Sequence, residues 1–147
     1  GYIAINAGIA CGATCIMTPE CPVTVEEIAA KINRAHEMGK HHFIVVVSEG
    51  AVDNSVEVAR KIEKLTGVET RATILGHVQR GGSPTARDRV VASQLGYHAV
   101  ELLSQGIGNR VVGLVDDKIV DVDIQEALKM KKQFPEELYK IANEISF

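Results

Sequence analysis

The chain has no tryptophan, and its aromatic residues amount to only 4% of 147 positions. Any core must therefore be aliphatic, and at 46% hydrophobic the sequence has the material for one domain with a real core. Cysteine is scarce as well: the three are Cys11, Cys15 and Cys21. An odd number in one short stretch is not a disulfide framework. No CxxC pair exists, and His36, His41 and His42 lie in or beside periodic segments, so no metal site is expected. Reduced, mostly buried thiols in a cytoplasmic protein fit better. No apolar run approaches the roughly 20 residues of a membrane span, and no signal peptide is visible. A surplus of positive charge is missing too. Sixteen Lys and Arg against nineteen Asp and Glu give −3, which argues against a nucleic-acid partner. Neither GxGxxG nor GxxxxGK[ST] occurs, and no Ser/His/Asp arrangement declares itself. The chain therefore shows no cradle for a nucleotide triphosphate and no catalytic base.

What is present is a regular alternation of elements. Residues 2–10 read as an apolar helix ended near Gly12. Since that helix starts at once after Gly1, the chain is expected to be cut from a longer protein. CIMT, 15–18, reads as a strand before Pro19. Thr24 and Glu27 form a capping box for a helix to about Met38, with the stripe Ile28, Ile32, Ala35 and Met38. HFIVVV, 42–47, is a β-branched run suited to a strand covered on both faces. A helix over 53–66 stops at Gly67, and ETRATIL, 69–75, reads as the next strand. Ser83 as N-cap and Pro84 as first helical residue open a helix to about Ser104. RVVGLV and KIVDV flank a hairpin turn at Asp116-Asp117. Asp123 caps a short helix, and Pro135 starts the last one. The pattern predicts an α/β fold, three-layer and doubly wound, with a mostly parallel sheet.

Four of the seven arginines fall within TRATILGHVQRGGSPTARDR, residues 70–89. Ligands of open parallel sheets sit beyond the carboxyl ends of the strands. If 42–47 and 69–75 are parallel neighbours, Glu49 and His77 meet at one edge. Arg80 follows on a turn loosened by Gly81 and Gly82, near the free N–H groups of the next helix. His77, Arg80 and those groups suit a phosphate, while a carboxylate repels phosphate and suits hydroxyls. Together they suggest a sugar phosphate. Each residue also has a plainer reading: a satisfied loop histidine, a solvated arginine, an ordinary loop glutamate. Arg71 lies six residues before His77, about 20 Å along a strand at about 3.3 Å per residue. It either makes a structural ion pair or reaches a neighbouring subunit's site. Arg87, Asp88 and Arg89 suit structural ion pairing.

LGHVQRGGSPTARDR resembles the LGHxQRGGxPxxxDR stretch of the bacterial 6-phosphofructokinases. The likeness extends through the SEG turn, the ETRAT stretch and the DI-x-EAL helix, over essentially the whole chain, and corresponds to the C-terminal half of those enzymes. It implies the family's substrate and effector domain plus a segment that normally packs on the other domain: residues 1–77 in the substrate domain, 78–128 returning to the nucleotide domain, and 129–147 rejoining the first. The activity implied is ATP-dependent phosphorylation of fructose 6-phosphate in glycolysis, with Mg²⁺, by a cytoplasmic homotetramer under allosteric control. Glu49 would contact sugar hydroxyls, His77 and Arg80 the 6-phosphate, and Arg71 the 6-phosphate of the adjacent subunit. The ATP loops, the catalytic aspartate and a Met-Gly-Arg substrate motif have no counterparts here. The isolated chain is therefore expected to be inactive.

The resemblance also marks a regulatory site, and there the sequence departs from it. The family's Gly-Gly-x-Glu turn is Cys11-Gly12-Ala13-Thr14, and its basic residue before Gly-Lys is Met38. Gly12, Lys40 and His42 still match effector-contacting positions. Loss of a carboxylate and a cation implies weak control by nucleotide or phosphoenolpyruvate. Three other functions stay open at this point: a pyrophosphate-dependent phosphofructokinase, a non-catalytic sugar-phosphate-binding domain, and a plain structural domain.

Overall fold

Two short apolar triplets, CIM and VVV, decide how the helices are arranged. The computed structural model describes residues 1–146. Its elements run α1 (Tyr2–Ala10), β1 (Cys15–Met17), α2 (Val25–Glu37), β2 (Val45–Val47), α3 (Ser55–Thr66), α4 (Ala86–Ser104), β3 (Arg110–Val115), β4 (Lys118–Asp123), α5 (Ile124–Ala127) and α6 (Glu136–Glu144). They form two compact units: Gly1–Ile74 with the described residues from Gln133 onward, and Leu75–Lys132.

In the first unit β1 and β2 pair in parallel, Cys15 opposite Val45 and Met17 opposite Val47. Successive strand residues face opposite ways, and the packing follows that rule. Ile16 and Val46 pack with Ala4 and Ile5 of α1 and with Leu138 and Ala142 of α6. Cys15, Met17, Val45 and Val47 pack with Ile28 and Ile32 of α2 and Ile62 of α3. Helices thus cover both faces, the three-layer α/β arrangement that the sequence predicts. α2 begins with the expected reciprocal cap: Thr24 Oγ1 accepts from the Glu27 N–H, and the Thr24 N–H donates to the Glu27 carboxylate. α3 is capped by Asn54 and ends at Gly67, whose φ of 70° lies in the left-handed region.

The second unit holds α4, the antiparallel hairpin β3–β4 and α5. Asp116 and Asp117 both have positive φ, 50° and 59°, which is the backbone of a tight two-residue hairpin turn. Asp123 accepts from the Gln125 N–H and caps α5. Leu102 is the one buried hydrophobic residue among those described in this unit.

Four local expectations are corrected. Residues 69–75 form no strand, so β2 has β1 as its only partner in the described sheet. β2 itself is confined to 45–47 rather than 42–47. Met38 does not extend the buried stripe of α2; it is the C-cap and is 60% exposed. α4 starts two residues later than Pro84, because Thr85 and Asp88 form a second capping box. That box satisfies two backbone donors at once, which outweighs the single cap offered by Ser83. Of the thiols, Cys15 is buried and Cys21 half-buried, but Cys11 is exposed.

Candidate functional site

The parallel pair gives the first unit two chemically distinct edges. At the carboxyl edge β2 runs into Ser48 and then a single 3-10 turn, Glu49–Ala51. The Ser48 N–H donates to the Met17 carbonyl at 2.9 Å, so this exit is fastened to the end of β1. Glu49 is exposed at the start of the turn. Gly50 lies against Pro19: a Cβ there would come 3.1 Å from Pro19 Cγ.

At the amino edge, Gly12 and Thr14 lead into β1 while Lys40 and His42 lead into β2. Because the strands are parallel, all four share one edge, opposite to that of Glu49. Gly12 has φ 65° and is exposed. Lys40 Nζ donates to the Ser146 carbonyl at 3.4 Å. Thr14 is 2% exposed, and its Oγ1 has no partner. A buried neutral hydroxyl is a poor ligand for a cation that prefers carboxylate oxygen.

Arg71 remains in the first unit, beyond α3. Both its Nε and one terminal nitrogen donate to Glu69 Oε1, at 2.9 and 2.7 Å. The pair is open to solvent, with the arginine side chain 85% exposed. Exposed pairs of this kind are worth little, so they hold the guanidinium only loosely. With no strand at 69–75, the distance argument that set Arg71 apart from His77 has no footing.

His77 and Arg80 belong to the second unit, on a 3-10 helix spanning Gly76–Arg80. Residues three apart in a 3-10 helix lie one above the other. The imidazole and the guanidinium therefore share a face, and both are exposed. Gly76 and Gly81 bracket the turn with φ 55° and 108°, values that favour glycine. Two donors on one turn, one permanently charged, can take two oxygens of one anion. The expectation that parallel strand ends bring Glu49 and His77 together fails in its premise, because the second strand is absent. Arg87 and Arg89 are structural: Arg87 pairs with Asp117 at 2.8 Å, and Arg89 Nε donates to the Pro84 carbonyl.

Sequence reading missed a polar cluster in the second unit. Asp121 accepts from Arg110 Nε at 2.6 Å on one oxygen and contacts His98 Nε2 at 3.1 Å on the other. Glu101 lies 3.8 Å from His98 Nδ1. The signal was faint: Arg110 pairs with Asp123, and Asp121 is its diagonal neighbour two residues along, which shows only once the hairpin register is known. Among the described residues no three His, Cys, Asp or Glu side chains gather as a metal ion would require. No helix among them is long and apolar enough to cross a membrane.

The chain is 50% identical over 146 residues to ATP-dependent 6-phosphofructokinase 1 of Clostridium perfringens, covering 99% of this chain and 46% of that protein. It is 49% identical over 146 residues to ATP-dependent 6-phosphofructokinase of Bacillus subtilis, again 99% and 46%. It thus spans about half the length of the curated relatives it matches. Among solved structures it superimposes on Pichia pastoris phosphofructokinase in the T-state, with TM-score 0.77 and 31% identity over 99% of this chain and 16% of that one. The phosphofructokinase of Saccharomyces cerevisiae matches with TM-score 0.77 and 30% identity, covering 99% of this chain and 20% of that one. The family model described as phosphofructokinase matches residues 1–103, and with these relatives it shows that the chain belongs to the phosphofructokinase family.

Proposed function

We propose that this chain is the fructose 6-phosphate-binding half of an ATP-dependent 6-phosphofructokinase. The observation that carries the reading is the placement of His77 and Arg80, three residues apart, on one glycine-bracketed 3-10 turn, inside a chain half identical to enzymes of that name. Those names also favour ATP over pyrophosphate as the donor. In the reaction the sugar's O1 hydroxyl attacks the γ-phosphorus, the bond to ADP breaks, and the hydroxyl proton leaves. This chain's share is to hold the acceptor in place. His77 and Arg80 bind the 6-phosphate, and Glu49 accepts hydrogen bonds from sugar hydroxyls. Arg71 leaves its weak pair with Glu69 to reach the 6-phosphate of an adjacent subunit in a homotetramer. ATP and magnesium belong to residues outside this chain.

Residues 1–77 and 129–147 would build the substrate domain, and 78–128 would return to the nucleotide domain. The enzyme would work in glycolysis in the cytoplasm. At the opposite edge, Gly12, Lys40 and His42 would form a weakened effector site, since Thr14 supplies no carboxylate and Met38 no charge.

The test is kinetic. In the intact enzyme, Arg80→Ala removes a charge-assisted contact worth about 1.5–3 kcal/mol. KM for fructose 6-phosphate should rise roughly tenfold to a hundredfold, with KM for ATP little changed. An unchanged sugar KM would refute the assignment. The 147-residue chain alone should show no ATP-dependent turnover of fructose 6-phosphate, and measurable turnover would refute the division of labour.

A further inference from the structure

Among the described residues, two buried side-chain oxygens have no hydrogen-bond partner: Thr14 Oγ1 and Ser48 Oγ. They stand at opposite ends of the same ladder. The Thr14 N–H donates to the Ile44 carbonyl at one end, and the Ser48 N–H to the Met17 carbonyl at the other. Buried hydroxyls without partners are uncommon and call for a reason.

Ser48 has three properties that point to one. Its main chain is fully engaged: the N–H reaches Met17 at 2.9 Å, and its carbonyl accepts from the Ala51 N–H at 3.0 Å. It occupies the N-cap of the Glu49–Ala51 turn with extended backbone, yet its hydroxyl caps nothing. Serine at that position ordinarily accepts a backbone N–H. It also directly precedes Glu49 at the carboxyl edge of a parallel pair, where ligands of such sheets collect.

We propose that the Ser48 hydroxyl is a second contact for the sugar at the Glu49 rim, left unpartnered in the free chain and satisfied when the phosphorylated sugar binds. The inference rests on the reading of Glu49 as a sugar-binding residue. The chemistry of the two groups is complementary. An ionised glutamate only accepts, so a sugar hydroxyl that donates to Glu49 still presents lone pairs. Ser48 can donate to them, and the two residues then hold one hydroxyl from both sides. The Glu49–Ala51 turn is closed on Ser48 by the Ala51–Ser48 backbone bond, and the proposal requires this turn to shift on binding so that the buried hydroxyl meets the sugar. Losing an unsatisfied polar group on binding favours the bound state.

The experiment is calorimetric titration of the intact enzyme with fructose 6-phosphate, alongside thermal melts without ligand. Ser48→Ala should raise Kd about threefold to tenfold, the range of one neutral hydrogen bond, without lowering the ligand-free Tm. Ser48→Thr, which restores a hydroxyl, should bind within about twofold of the parent. An unchanged Kd for Ser48→Ala overturns the proposal. So does a fall in both Kd-derived affinity and ligand-free Tm that threonine fails to repair, since that pattern belongs to a structural serine. Glu49→Gln is the control. If it weakens binding while Ser48→Ala does not, only the role of Ser48 falls. If neither variant changes Kd, the rim is not the sugar site and the functional reading falls with it.

Discussion

Asp121 is held by two basic side chains at once, and this gives the second unit a pH dependence. His98, first, and then Arg110 hold its carboxyl below the ordinary aspartate range. A carboxyl whose pKa is lowered by folding favours the folded state above its unfolded value, about 3.9 for aspartate. That contribution is lost as the pH falls through the lowered value. The clamp joins α4 to the hairpin, so acid should loosen that junction. Glu27 and Asp88, each lowered first by the backbone N–H of its cap threonine, respond in the same direction. Asp121→Asn isolates the one contribution. Urea midpoints compared at pH 5 and pH 3 should fall less in Asp121→Asn than in the parent chain, and equal falls would rule the clamp out. Single residues were unevenly legible. The turn that carries His77 and Arg80 was legible from its glycines, and it forms as a 3-10 helix over Gly76–Arg80. Arg71 left its two readings open, because an arginine's partner across a subunit boundary is written in no local pattern.

Elements followed the sequence where their determinants were local. Thr24-x-x-Glu27 carries its capping partner within the same turn, so α2 starts where expected, whereas the equally local Thr85-x-x-Asp88 box sets the start of α4 in place of the Ser83-Pro84 start read from the sequence. Strand formation needs a neighbour's backbone, and there ETRATIL failed: its β-branched residues have suitable propensity, but 71–75 are exposed and pair with no strand. Around Gly8, α1 packs tightly on β1. A Cβ built on Gly8 would come 2.4 Å from Ile16 Cδ1 and 2.6 Å from Ile16 Cγ1. Ile16 is itself buried in the α1–α6 layer and has little room to turn aside. Gly8→Ala should therefore destabilise the first unit by about 1–3 kcal/mol through overpacking, despite alanine's better helix propensity. The m-value should stay unchanged, marking a native-state effect. A urea midpoint equal to or above the parent's would show that α1 shifts freely on the sheet. Ile16→Val, paired with Gly8→Ala, should recover part of the loss, because it removes the methyl that the new Cβ meets.

At the scale of the molecule, the two units differ in what they can bury. The first has aliphatic layers on both sides of its strands. The second leaves Tyr97, Val100 and Leu103 of α4 exposed, together with Leu128 and Met130, the last two at 76% and 63%. With Leu102 as its one buried hydrophobic among the described residues, α4 is fastened to the hairpin by the half-buried His98–Asp121 contact and the exposed Arg87–Asp117 pair. The exposed pair contributes little, and so large an apolar surface on a free unit is a surface awaiting cover. Amphipathic pattern alone could not reveal this, since a stripe along α4 reads alike whether its partner is inside or outside the chain. The free chain should therefore lack uniform stability. In native-state hydrogen exchange, amides of β3, β4 and α4 should open by local fluctuation, while those of β1, β2 and α2 should wait for unfolding of the first unit. Protection factors should differ between the two sets by roughly a hundredfold or more, equivalent to about 3 kcal/mol or above. The chain should also bind a dye that reports exposed apolar surface, and that signal should fall once a longer protein covers α4. Equal protection in both sets would mean that the second unit is stable as it stands, and the case for a missing cover would fail.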